Sequence, residues 1–123
     1  MTQQPTLWRA ITGPTVWLTC LVAVYTAHAL GCRYIDVQPA WAGLAEPTTM
    51  VTLVVFIAWS FFLVAAVLLG WQSWAWLFRQ AASRADPVPP HKFMTRFTFV
   101  ADVSAIVAIL ATGLPIGAVP ACV

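Results

Sequence analysis

The chain has 123 residues, of which 61% are hydrophobic and only 8% charged, whereas soluble domains carry roughly 25% charged residues. Its formal net charge of +2 is small and scattered, which speaks against a nucleic-acid partner held through phosphates. The length suits one domain with room for about three membrane spans, and the absence of low-complexity segments or an internal repeat excludes a solenoid.

In chain order, residues 1–13 form a short polar lead with Trp8 and Arg9. Thr12-Gly13-Pro14 reads as a helix start, since proline in a first turn gives up an N–H that would have no partner there. The uncharged run Thr15 to Gly31 then predicts a first span over 14–31, with Gly31 as its cap and Arg33 just beyond. Arg9, the apolar run and Ala27-His28-Ala29 imitate the three regions of a signal peptide. Cys32 has Ala29 where a lipoprotein signal carries leucine, and the segment reads as a retained span.

Residues 33–48 make a first loop with Arg33, Asp36, Trp41 and Glu46. Thr48 or Thr49 is placed to cap the next helix, with Glu46 near its positive end. The stretch Met50 to Phe78 contains no charge and exceeds the 20 or so residues that cross a bilayer, so a tilted or projecting span over 49–78 is expected. Trp71, Trp74 and Trp76 crowd its end before Arg79, as an interfacial aromatic belt does. Asp86-Pro87 and Pro89-Pro90 punctuate the second loop. A third span follows over 93–113, which Gly113 and Pro115 are expected to break. The fold class is therefore all-α integral membrane, with three transmembrane helices in a single domain.

Arg79, Arg84, Lys92 and Arg96 lie in or beside the second loop, and Arg9 precedes the first span. The positive-inside rule then puts the N-terminus and second loop in the cytoplasm and the C-terminus outside, the N-in/C-out arrangement. The expected setting is a bacterial inner (cytoplasmic) membrane, crossed several times.

That topology brings Cys32 and Cys122 to the outer face, where an oxidising compartment permits a disulfide; two free thiols are the alternative. His28 stands four residues before Cys32 on one helix face, and with Cys122 would offer an imidazole and two thiolates to Cu(I) or Zn(II). Cys20, in mid-span, reads as a small packing residue. Asp102 is the one acid inside a span. Such a carboxylate points into a bundle, a cavity or a partner. It is either a proton-relay group or a partner for Lys92, Arg96 or a donor on another subunit. Phe56, Trp59, Phe61 and Phe62 could stack on a pigment or quinone, but such residues more often fill helix contacts. Small residues at Ala58, Ala65, Ala66 and Gly70, and at Ala101, Ser104, Ala105 and Ala108, would let helices approach closely.

No nucleophile with a base, phosphate loop or pair of carboxylates is evident, so no enzyme activity and no cofactor of its own is expected beyond contact with lipid or quinone. Gly13-Pro14-x-x-Trp17, Tyr25-x-x-His28-Ala29-x-x-Cys32 and Leu114-Pro115-x-x-x-x-Pro120-x-Cys122 resemble the small three-span membrane proteins found beside bacterial haem-copper cytochrome oxidase genes. The resemblance implies an accessory subunit or assembly factor of a terminal oxidase. The residues alone lead to a similar expectation: a non-catalytic accessory subunit packed on a larger energy-transducing complex, with oxidase subunits and lipids as partners. The alternatives are a copper-handling assembly factor, an oligomeric transporter using Asp102, and a peripheral subunit of a photosynthetic complex.

Overall fold

A computed structural model describes residues 6–37, 47–83 and 89–118. They form three helices, α1 (Leu7–Val37), α2 (Pro47–Ala82) and α3 (Pro89–Ala118), and each is long and apolar enough to cross a membrane. The protein is an all-α membrane protein of three spans. In hydrocarbon the backbone satisfies its own polar groups only as a helix or a closed barrel, which is why these apolar segments are helical throughout.

Each helix outruns the span expected of it. Thr6, not Thr12, sets the start of α1. Its Oγ1 accepts from the Arg9 N–H at 3.4 Å, and its carbonyl accepts from the Ala10 N–H at 3.1 Å. Thr12 lies inside the helix, donating its hydroxyl to the Trp8 carbonyl at 2.9 Å. Pro14 and Pro115 are both interior to helices; the expected helix start at one and the expected break at the other do not occur. Neighbouring helices and local hydroxyls make interior proline tolerable in a membrane helix. Thr112, three residues before Pro115, donates to the Ala108 carbonyl at 2.8 Å. Gly31 likewise does not end α1, which runs on to Val37. α2 opens on Pro47 and α3 on Pro89, both first-turn prolines, so Thr48 and Thr49 sit inside α2 instead of capping it. At 1.5 Å per residue, the 36 residues of α2 reach about 54 Å, well beyond a hydrocarbon layer of about 30 Å.

All three helices touch one another. The end containing the start of α1 also holds the end of α2 and the start of α3. Toward the opposite end lies an apolar core of Cys20, Val24, Val55, Ala66 and Ile109, with Trp17, Trp59, Phe62 and Ile106 packed against it. Glycines set the close approaches. Gly31 faces the Val51 side chain, Gly70 faces Ile106, and Gly113 receives the indole of Trp59, whose Nε1 donates to the Ile109 carbonyl at 2.7 Å. Around this narrow core the helices leave most of their large apolar side chains facing outward, the arrangement lipid permits and water does not.

Candidate functional site

The inward stripe of α3 is Thr95, Thr98, Asp102, Ala105 and Ile109, all buried, at alternating steps of three and four residues that keep one helix face in register. It is polar toward the start of the helix and apolar beyond Asp102. Asp102 lies six residues past Arg96, about 9 Å further along the axis. Gly13 of α1 packs directly on it: a Cβ at Gly13 would stand 2.5 Å from Asp102 Oδ1 and 3.3 Å from its Cα. Arg9, one turn earlier on the same face of α1, is thereby delivered to the carboxylate.

The two charges meet as a fork. Arg9 Nη1 donates to Asp102 Oδ1 at 3.2 Å and Nη2 to Oδ2 at 3.0 Å. The Asp102 side chain is fully buried and that of Arg9 is 13% exposed. The third helix completes both partners. Arg9 Nη2 also donates to the Leu69 carbonyl at 2.8 Å and Nε to Gln72 Oε1 at 3.1 Å, so four of the five guanidinium N–H groups have acceptors. The Ser73 hydroxyl stands 2.7 Å from Asp102 Oδ2 and 3.1 Å from the carbonyls of Leu69 and Gly70. It has one proton to give, and the short approach to an anion takes it. Trp76 places its ring 5.5 Å from the Arg9 guanidinium carbon, within cation–π range. Residues from all three helices thus converge on one buried pair.

Two further polar contacts lie on the same side. Gln80 Nε2 donates to Thr95 Oγ1 at 2.7 Å, tying the overhang of α2 to α3, and Thr95 passes its own proton to the His91 carbonyl at 3.0 Å. Thr98 behaves differently. Thr12, Thr15, Thr19, Thr95 and Thr112 each donate to the carbonyl four residues back, but the buried Thr98 Oγ1 has no hydrogen-bond partner, and neither does Trp17 Nε1. A desolvated hydroxyl left unpaired costs about 1–3 kcal/mol. Thr98→Val keeps the shape and removes that cost. It is expected to raise the thermal unfolding midpoint in detergent; a lowered midpoint would mean that the hydroxyl is bonded in solution.

The residues picked out by sequence fall into place unevenly. Asp102 is buried inside the bundle, and its partner is neither Lys92 nor Arg96, both of which are exposed. Sequence reasoning places Arg9 in the polar lead and misses its role in the bundle. The available signal was charge balance together with spacing: a lone intramembrane acid needs a cation, and Arg9 precedes by one turn a glycine that allows close helix contact. Of the presumed belt, Trp71 and Trp74 face outward while Trp76 turns to Arg9. His28 is exposed and Cys32 half-buried, one turn apart near the end of α1. Cys122 lies outside the described residues, and with it both the expected disulfide and the third metal ligand. Among the described residues no three His, Cys, Asp or Glu side chains gather as a metal site would require. Cys20 is a buried free thiol in the apolar core. Comparison of the chain with protein-family models, characterised proteins and solved structures yields no match.

Proposed function

We propose that the chain is a non-catalytic accessory subunit lodged against the flank of a larger energy-transducing complex in a bacterial inner membrane, foremost a haem-copper terminal oxidase. The observation that carries this reading is how the buried charge is used. Asp102, buried within the bundle, is held by Arg9 and Ser73 in a three-helix clasp, an arrangement suited to rigidity. A proton relay would need a path to solvent, and here the carboxylate is fully buried with both oxygens bonded by Arg9 and Ser73. What remains for contact is the outer surface. On α2, Leu53, Ile57, Phe61, Val64, Leu68 and Trp71 are all exposed at helical spacing, a ridge that fits lipid or the helices of a neighbouring subunit. The orientation that accords with the basic residues is N-in/C-out. A Cys32–Cys122 bond at the outer face would tether the tail to α1.

The test is purification through a C-terminal tag in mild detergent, with subunits identified by mass spectrometry and haem by visible absorption. Oxidase subunits in fixed ratio with haem bands are the expected result. A colourless species lacking any stoichiometric partner would defeat the accessory-subunit reading. The intact mass without reductant reads the disulfide: two hydrogens below the reduced mass is expected, and an unshifted mass removes the tether.

A further inference from the structure

We infer that the groove between α2 and α3 at the Arg96 end binds one anionic phospholipid. Its floor is aromatic and crosses from helix to helix: the Trp74 ring lies 4.7 Å from Phe78 on α2 and 5.5 Å from Phe99 on α3. Its rim is cationic. Lys92 and Arg96 precede Phe99 by seven and three residues, so all three fall on one stripe of α3, the stripe that meets Trp74. The two basic residues are a single turn apart, with Cβ atoms about 6 Å from each other, a separation that lets both long side chains reach one phosphate.

The heights also suit a lipid. Arg96 stands about 4.5 Å and Lys92 about 10.5 Å along the axis from Phe99, which puts the cations at headgroup level when the rings lie at the acyl boundary. Both cations are exposed. Of the two acids among the described residues, Asp36 is on the far end of α1 and Asp102 is spent on Arg9. The groove therefore presents uncompensated positive charge above a wall that excludes water, a complement to an anion carrying hydrocarbon and a poor match for a soluble anion. Arg79 supplies an internal control. It follows Trp74 by five residues, about 140° round α2, and its Nε donates back to the Ala75 carbonyl at 3.3 Å, so it adds to the local charge without bordering the groove.

The experiment uses the full chain reconstituted in nanodiscs of mixed phosphatidylglycerol and phosphatidylcholine, followed by release into mild detergent and native mass spectrometry. One phosphatidylglycerol retained in preference to phosphatidylcholine is expected. Lys92→Gln and Arg96→Gln should each weaken that retention about fivefold, the share of one basic side chain near an anionic headgroup, while Arg79→Gln leaves it unchanged. Circular dichroism on each variant verifies that the helices remain. Equal retention of the two lipids, or equal losses from all three variants, would overturn the site, the latter showing only a diffuse surface potential. A second copy of the chain retained in place of the lipid would overturn it too. The measurement is made on the isolated chain, so its outcome does not depend on the accessory-subunit reading.

Discussion

Arg9→Ala is expected to destabilise the three-helix bundle by about 3–5 kcal/mol, the usual consequence of leaving one member of a buried ion pair alone. Asp102 has a short side chain, fully buried and well inside α3, with only Ser73 left to bond it. Asp102→Asn should cost less, because Arg9 is near the start of α1 and already partly exposed, and its long side chain can swing toward the interface. Arg9→Lys keeps the charge but loses the planar fork that serves Asp102, Leu69 and Gln72 together, so it falls between the wild type and the alanine variant. Replacing both charges, Arg9→Met with Asp102→Leu, should recover most of the loss, since buried ion pairs can often be exchanged for apolar groups of similar size at little cost. Unfolding in mixed micelles of increasing denaturing detergent measures all four. Single variants within about 1 kcal/mol of the wild type would show that the pair does not hold the helices. A double variant as weak as Arg9→Ala would show that the site needs its charges for something other than mutual compensation.

The second large effect concerns Gly13. A methyl group there would enter the space of Asp102 Oδ1 and press on the α3 backbone, and backbone yields less readily than the end of a side chain. Gly13→Ala should therefore force α1 away from α3 and lengthen the Arg9–Asp102 contacts, at a cost of about 1–3 kcal/mol typical of overpacking. Other glycines calibrate the loss. At Gly31 the nearest atoms to the added carbon are all of the Val51 side chain, with no backbone among them, so a smaller loss is expected, and at Gly117 it meets nothing within 4 Å. Gly117→Ala should be neutral or mildly stabilising, since alanine favours a helix by up to about 1 kcal/mol over glycine. The same detergent titration ranks the three; a Gly13→Ala variant as stable as Gly117→Ala would disprove the close approach.

Both effects centre on a contact between residues 93 positions apart, and that separation marks what could be read without the fold. Hydropathy accumulates along the chain, so the uncharged runs Thr15–Gly31 and Met50–Phe78 and the largely apolar stretch 93–113 announce three spans residue by residue: whether a segment enters lipid depends on its own side chains. The interior position of Asp102 followed from the same local arithmetic. The helix ends were less legible, because Pro14, Gly31 and Pro115 are breakers by intrinsic preference, and lipid overrides that preference by making an unsatisfied backbone more costly than a strained helix. Which cation answers Asp102 could not be read locally at all. Lys92 and Arg96 are nearer in sequence, yet helical periodicity turns them to the outer surface, while the glycine at position 13 lets α1 come close enough to bring Arg9 in. The turn of Trp76 toward Arg9 and the cross-helix seating of Trp59 on Gly113 were decided in the same way. The spans and the acid inside the third were legible along the chain, since those depend on the free energy of each residue in its own segment. Tertiary structure alone decided the ion pair and its three-helix clasp, because pairing depends on which faces of separate helices meet.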